Sequence, residues 1–234
     1  MLAQIKKTTA ALPLVGPILR WVHQKITGKK IIEFKSSDQY WEDRYRAGRT
    51  SGSGSYGRLA QFKADFLNDF VEKNDIKSIV EFGCGDGAQL TLAKYPNYIG
   101  FDVSPAAIRL CKELFSKRPE FSFHTVQSEA FNALKPVDLA LSLDVIYHLI
   151  EEDVFESYME KLFNSSRRFI IIYAYDFEKN YRSKHEKGRK FTKWIESNAP
   201  KWKLTDRVPN KYPYSLSDPE NTSQSDFFIY KKGE

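Results

Sequence analysis

Apolar residues recur along this chain at two spacings, and each spacing predicts a different kind of element. Between Leu59 and Phe70 they recur every three or four residues, which predicts an amphipathic helix. From Ser78 onward, five short apolar runs predict buried strands: SIVEFG, YIGFDVS, FSFHTVQ, VDLALSLD and RRFIIIYAY. Amphipathic segments between these runs predict helices, one of them capped by Ser104 with Pro105 in its first turn. This alternation predicts an α/β fold with a doubly wound, mostly parallel sheet.

The same patterns divide the chain into one domain and the segments that precede it. Residues 1–30 predict a basic amphipathic arm, and residues 31–75 predict a helical lid or cap segment. Residues 76–234 hold the predicted sheet, which is interrupted by a basic, aromatic insertion at about 177–205. The run SDFFIYKK, after the insertion, predicts a final strand that pairs with the edge of the sheet.

Charge is concentrated in the arm. The whole chain carries +6, and residues 1–30 alone carry six basic residues and no acidic one, so the remainder is neutral. A neutral body argues against a nucleic-acid partner. The arm is too short and too interrupted to span a bilayer, which leaves three alternatives: packing on its own domain, an anionic membrane surface, or a partner protein. The two cysteines favour a reducing cytoplasm, and the membrane alternative for the arm would place the protein at the inner face of the membrane.

Two glycine clusters compete for the role of nucleotide-binding loop. Gly52, Gly54 and Gly57 match G-x-G-x-x-G, but no strand precedes them. The second cluster, EFGCGDG, follows a predicted strand and precedes a predicted helix, as a cofactor loop requires. Asp102 ends the next strand at the spacing expected for a carboxylate that binds ribose hydroxyls. Glu81, inside the first strand, suits a cofactor with an ammonium group better than one with a pyrophosphate.

These motifs resemble class I S-adenosylmethionine-dependent methyltransferases, which have a Rossmann-like fold. The resemblance covers about residues 78–175 and includes G-F-D at Gly100 and L-D-V-I-Y-H at Leu143. It implies S-adenosylmethionine as cofactor, bound by the glycine loop and by Asp102, and it implies that the residues after the third strand flank the adenine. The implied cofactor-binding residues within the domain are Glu81, Gly83, Gly85, Gly87, Asp102, Gln127, Ser128 and Glu129. The flanking segments resemble methyltransferases associated with bacterial surface polysaccharides and capsules.

The catalytic candidates follow the fourth predicted strand. His148 is the candidate general base, because its unperturbed pKa of about 6.5 suits proton transfer near neutrality; packing or capping is the alternative. Asp144 is expected to line the site or orient a neighbour, and Tyr147 to bind the acceptor or pack. No metal is expected. The position after the fourth strand reads D-V-I-Y and lacks the signature of base-amino methyltransferases.

Two further segments carry candidate binding residues. In the basic insertion, Arg182, His185 and Arg189 are predicted to bind an anionic acceptor, unless they form an ordinary solvated face. The segment Ser51–Arg58 is predicted to be a mobile lid that places Tyr56 and Arg58 over the cofactor, and a plain linker is the alternative.

The function predicted from the sequence is methyl transfer to a small or saccharide-linked acceptor, most favourably to an oxygen atom. The basic insertion suggests that this acceptor is anionic. The alternatives are an NAD-linked oxidoreductase and a non-catalytic cofactor-binding protein that docks a partner through the arm.

Overall fold

The computed structural model describes residues 32–180 and 183–233. The predicted arm at residues 1–30 and Arg182 lie outside these residues, so membrane or partner contact through the arm stays a prediction. Residues Phe34–Glu234 form one compact unit. No helix in the described ranges is long and apolar enough to cross a membrane.

The predicted doubly wound sheet is present. The strands are β1 (Ile79–Phe82), β2 (Tyr98–Asp102), β3 (Phe121–Thr125), β4 (Val137–Leu143), β5 (Ser166–Ala174), β6 (Lys179–Asn180), β7 (Lys187–Gly188), β8 (Trp202–Val208) and β9 (Asp226–Lys232). Seven of them form the sheet in the order β3-β2-β1-β4-β5-β9-β8, and the first five in this order are parallel. A two-stranded ribbon of β6 and β7 is separate from this sheet.

Helices cover both faces of the sheet because adjacent strand residues point to opposite sides. Leu67 and Cys111, on α2 and α3, pack in one core with Ile79. Met159 and Ile195, on α5 and α6, pack in the second core, on the other face. The helices are α1 (Ser37–Arg46), α2 (Gly57–Lys73), α3 (Pro105–Leu114), α4 (Glu129–Asn132), α5 (Glu152–Asn164) and α6 (Phe191–Asn198).

Three elements of the structure differ from those predicted from the sequence. The run SDFFIYKK does form a strand, β9, but it lies inside the sheet between β5 and β8. The edge strand on this side of the sheet is β8, which begins in the predicted insertion. Its central residues are exposed, so it lacks the buried apolar run expected of a strand. The helix predicted after the second glycine cluster is reduced to a short 3-10 turn at Gln89–Leu92.

Helix starts agree with the sequence only in part. Ser104 caps α3 as predicted, because its side chain accepts a hydrogen bond from the Ala107 amide at 3.1 Å. The sequence SDQYWEDRYRAG favours a helix capped by Ser37 or Asp38, but the N-cap is Ser36 and Ser37 lies inside α1. Its hydroxyl instead donates to Glu151 Oε2 at 2.6 Å, which ties α1 to the loop before α5.

Candidate functional site

The loop after β1 has a backbone that favours glycine. Gly83, Gly85 and Gly87 adopt φ values of +87°, +60° and +77°, in the left-handed region. A Cβ atom on Gly85 would also clash with the hydroxyl of Ser51. The Gly85 amide donates to Asp102 Oδ2 at 2.9 Å, so the end of β2 holds the loop in place.

A cavity of about 310 Å³ lies along this loop, at the carboxyl ends of β1, β2 and β4. Its size is within the range of small-molecule sites. A doubly wound sheet binds its ligands at this edge, beside the strand where the order reverses. Six of the residues predicted from the sequence line the cavity: Glu81, Gly83, Gly85, Asp102, Asp144 and His148.

Two buried carboxylates lie in the floor of the cavity. Burial raises the pKa of Glu81 to about 7, although the Tyr98 hydroxyl donates to Glu81 Oε2 at 2.6 Å and the charge of Lys63 opposes the shift. Burial also raises the pKa of Asp102 to about 6, against the amides of Ser104 and Gly85 that donate to it. Both groups therefore lack part of the solvation that would keep them charged.

Asp144 is the centre of a polar cluster at the end of β4. Its Oδ2 accepts from the Nζ of Lys63 at 2.8 Å, and its Oδ1 accepts from the hydroxyls of Tyr147 at 2.9 Å and Ser225 at 3.0 Å. Its φ of +59° is unusual for a residue other than glycine. Tyr147 also stacks on Tyr175, with 4.5 Å between the ring centres. Asp144 thus lines the cavity and contacts three neighbouring side chains, and its role in the reaction stays a prediction.

His148 follows β4 in a short 3-10 turn and lines the cavity. Its Nδ1 lies 2.8 Å from the backbone carbonyl oxygen of His185. Burial lowers the pKa of His148 to about 4, and this hydrogen bond opposes the shift only in part. The rings of His148 and Trp41 pack in a T-shaped arrangement, with 4.9 Å between the ring centres.

The Gly/Ser segment lies against the cofactor loop, although not through the residues predicted. The Ser51 amide donates to Asp86 Oδ2 at 2.8 Å, and the Asp86 amide donates to Ser51 Oγ at 3.1 Å. Ser51 and Ser55 line the cavity. Tyr56 does not, because its hydroxyl donates to Asp86 Oδ2 at 2.8 Å on the outer side of the loop.

The predicted role of Arg58 does not fit the structure. Its guanidinium donates to the Asn221 carbonyl at 2.6 Å and to Asp218 at 2.9 Å, and it lies over the ring of Tyr212. These partners belong to the segment between β8 and β9, so Arg58 points away from the cavity.

The predicted anion-binding role of Arg189 does not fit the structure either. Only 8% of the residue is exposed, and its guanidinium donates to both carboxylate oxygens of Glu152 at 2.7 Å. The same group donates to the carbonyls of Leu149 and Ile150. All its donor nitrogens are thereby engaged, so Arg189 holds the loop before α5 together and has no N–H group to spare for an acceptor.

The other predicted binding residues lie beside the cavity. His185 stacks on Tyr40, with 4.4 Å between ring centres, and it meets His148 through its backbone carbonyl and through its ring, 5.9 Å away between centres, but it does not line the cavity. The cavity wall after β3 comes from Val126 and Phe131. Ser128 caps α4, and the side chains of Gln127 and Glu129 are not among the lining groups. A role for residues 127–129 beside an adenine stays a prediction.

Several lining residues were not predicted from the sequence, namely Trp41, Tyr45, Lys63, Gln89, Tyr158 and Lys161. One signal was available for Lys63: it lies four residues from both Leu59 and Leu67, on the apolar stripe of α2. A lysine on such a stripe has to find a buried partner. The others depend on contacts between distant segments.

Comparison with known proteins agrees with this geometry. Residues 79–168 match the family model for a methyltransferase domain. The chain is an S-adenosylmethionine-dependent methyltransferase. No curated protein is similar enough in sequence to count as a match.

Solved structures share the fold at low identity. N-methyltransferase NodS from Bradyrhizobium japonicum, in complex with S-adenosyl-L-homocysteine, has a TM-score of 0.64 at 14% identity over 86% of this chain and 100% of that one. The methyltransferase domain of bacterial CtHen1 has a TM-score of 0.57 at 19% identity over 76% of this chain and 100% of that one. The CurJ carbon methyltransferase has a TM-score of 0.57 at 9% identity over 86% of this chain and 62% of that one.

The residues of the cavity fit the methyl donor. The glycine loop leaves room for a ligand to approach its backbone, and Asp102 offers a carboxylate to ribose hydroxyls. Gln89 supplies an independent observation: its Oε1 atom is buried and has no hydrogen-bond partner among the described residues. A buried hydrogen-bond acceptor of this kind needs a hydrogen-bond donor, and the ammonium group of S-adenosylmethionine would be one.

Proposed function

We propose that the enzyme transfers the methyl group to a hydroxyl of a small or sugar-linked acceptor, with His148 as general base. The observation that carries the proposal is the contact between His148 Nδ1 and the carbonyl oxygen of His185, 2.8 Å apart. A carbonyl oxygen only accepts hydrogen bonds, so Nδ1 carries the proton. In the neutral ring the other nitrogen, Nε2, is then the proton acceptor.

The protonation state of His148 supports this role. With a pKa of about 4, the ring is neutral at pH 7 and its Nε2 lone pair is available. The low pKa makes His148 a weak base, which can take a hydroxyl proton only as the oxygen becomes acidic during the reaction. A neutral amine is a good nucleophile before it loses a proton, whereas a hydroxyl becomes one only as its proton is taken, so a base beside the acceptor favours oxygen.

The neighbouring groups hold this arrangement in place. When bound, S-adenosylmethionine supplies an electrophilic methyl group. Burial and the nearby Asp144 keep the pKa of Tyr147 well above its ordinary value, so Tyr147 stays protonated and donates to Asp144. Trp41, Tyr45 and Ser51 cover the cavity from the N-terminal side, which restricts the access of water.

Two arguments support a sugar-linked acceptor of the surface-polysaccharide kind. Trp41 lines the cavity beside His148, and an indole ring offers a broad apolar face with a polar edge to a sugar. The second argument is that the segments that flank the domain resemble methyltransferases associated with bacterial surface polysaccharides and capsules. An anionic acceptor is not part of the proposal, because Arg189 is engaged by Glu152.

The test has two stages. Calorimetry with S-adenosylhomocysteine and NADH comes first, and binding of NADH alone would overturn the methyl-donor assignment. Transfer of a labelled methyl group to a panel of sugars and sugar nucleotides follows, with matched amino sugars. We expect hydroxyl products; methylation of the amino sugars only, or no turnover of any acceptor by a protein that binds S-adenosylhomocysteine, would contradict the proposal.

The role of His148 is tested by His148→Asn, with His124→Asn as the matched control outside the cavity. We expect kcat to fall by about 10²–10⁴-fold for His148→Asn, the usual range for loss of a general base, with little change in affinity for S-adenosylhomocysteine. His124→Asn should keep its rate. A wild-type rate in His148→Asn would mean that the ring only packs.

A further inference from the structure

The edge of the sheet opposite the cavity carries a cluster of basic side chains. The strands β5 and β8 begin at this edge and β9 ends there, whereas the cavity lies at the carboxyl ends of β1, β2 and β4. A surface depression of about 460 Å³ lies at this edge, beside the end of α2. The depression and the neighbouring end of β8 carry six cations, which together form what we call the basic edge: Lys73, Arg167, Arg168, Lys203, Lys231 and Lys232.

Three lysines of the basic edge have uncompensated charges. Lys203 and Lys231 are directly opposite each other in the ladder between β8 and β9, so their side chains point to the same face of the sheet. Lys232 follows Lys231 and lies over the ring of Trp202. All three lysines are exposed, and none forms an ion pair with a residue that the structure describes. Like charges that face each other across a ladder are destabilising, and an anionic partner would relieve this repulsion.

The nearby carboxylates do not neutralise this edge. They are already engaged by other cations: Asp69 by Lys73, Asp75 by Lys77, and Asp138 by Arg167. Arg168 lies 3.9 Å from the same Asp138 oxygen that Arg167 contacts at 2.9 Å, so two guanidinium groups share one carboxylate. Residues 31–234 are neutral in total, so an excess of positive charge at this edge leaves a negative excess on the rest of the body. Such an asymmetry orients the body in the field of an anionic surface.

The chemistry of the basic edge fits lipid headgroups better than nucleic acid. Single-stranded nucleic acid gains much of its affinity from exposed aromatic rings on which bases stack. The rings at this edge, Phe169 and Trp202, are each only 8% exposed. Anionic lipid headgroups require only clustered lysines and arginines close to the membrane surface.

We propose that the basic edge binds an anionic membrane surface, with Lys203, Lys231 and Lys232 contacting the phosphate groups of lipid headgroups. The proposal goes beyond methyl transfer and does not depend on which acceptor is methylated. Because the cavity lies at the opposite edge of the sheet, it faces away from the membrane in the bound protein and stays open to ligands from solution.

The experiment is cosedimentation of the full chain with vesicles of phosphatidylcholine, alone or with about one third phosphatidylglycerol. The wild type should bind the anionic vesicles more tightly, and raised salt should weaken this binding. The triple variant Lys203→Gln/Lys231→Gln/Lys232→Gln should bind them about 10- to 100-fold more weakly. The matched control is Lys112→Gln/Lys190→Gln/Lys211→Gln, which removes the same charge from exposed positions elsewhere and should weaken binding less than about threefold.

Equal weakening in the two triple variants would mean that only total charge matters, and it would overturn the proposal. Wild-type binding by the basic-edge variant would also overturn it, because the basic arm would then account for the affinity. So would a wild type that does not bind anionic vesicles, or a basic-edge variant that loses affinity for a single-stranded RNA but not for vesicles. Urea unfolding checks the fold: the basic-edge variant should be no less stable than the wild type, because it removes the opposed pair of lysines.

Discussion

Replacement of Glu81 by Gln should stabilise the protein, and the gain should depend on pH. Glu81 is 6% exposed and accepts from the Tyr98 hydroxyl at 2.6 Å. A glutamine keeps the size and can still accept from Tyr98 through its own oxygen. It removes the buried charge, and with it the cost of ionising a carboxyl group that burial has withdrawn from water.

The magnitude follows from the shift in pKa. The pKa of Glu81 is about 7 in the folded protein, against an ordinary value of 4.5. The folded state therefore binds a proton more tightly than the unfolded state, and the wild type loses stability as pH rises from about 4.5 to about 7. A shift of this size corresponds to roughly 3 kcal/mol once the pH is above 7, at about 1.4 kcal/mol for each pH unit.

Urea unfolding at pH 5 and pH 8.5 tests the sign and the size. We expect Glu81→Gln to raise the free energy of unfolding by about 2–3 kcal/mol at pH 8.5 and by less than about 1 kcal/mol at pH 5. Glu160→Gln, on the exposed surface of α5, is the control and should change it by less than about 0.5 kcal/mol at either pH. A destabilised Glu81→Gln at pH 8.5, or the same change at both pH values, would refute the reasoning.

Three further changes test other parts of the site. Gly85→Ala should lower the free energy of unfolding by more than about 2 kcal/mol, because its Cβ meets Ser51 at a φ of +60°; Gly48→Ala, at +69° with no atom within 4 Å, should cost about 1 kcal/mol, and equal costs would contradict the account. Asp86→Ala removes the two hydrogen bonds that the Asp86 carboxylate accepts from the Gly/Ser segment and should speed dissociation of S-adenosylhomocysteine about 5- to 30-fold in stopped-flow measurements, whereas an unchanged rate would favour a plain linker. Arg189→Met should lower the free energy of unfolding by about 2 kcal/mol and leave both KM values within about twofold, and a raised KM for the acceptor alone would restore the anion-binding role.

The parts of the fold that depend on local pattern could be predicted from the sequence. The strands β1 to β5 are short buried runs, and the glycine loop between β1 and the next turn needs left-handed backbone whatever surrounds it. Asp102 could be placed because the parallel strands β1 and β2 end at the same edge of the sheet. Each of these inferences uses residues close together in the chain.

The parts that were missed depend on distant contacts. Arg58 and Arg189 are charged residues in polar segments, and such residues are ordinarily exposed, but each meets carbonyl and carboxylate oxygens supplied by another part of the chain. The partner of Arg58 at Asp218 is 160 positions away. The strand β8 was missed because its exposed centre lacks the apolar run of a buried strand.

Two separate stretches of chain build the cavity, and this division has a consequence for engineering. The matched domain supplies the floor, whereas α1, the Gly/Ser segment and α2 supply the wall through residues such as Trp41 and Lys63. The wall is tied to the floor by a few hydrogen bonds, including those from Ser37 to Glu151 and from Ser104 to Glu42. Chimeric enzymes that exchange residues 34–73 between methyltransferases of this fold should therefore change which acceptor enters, provided that each graft brings a counterpart for these anchor points.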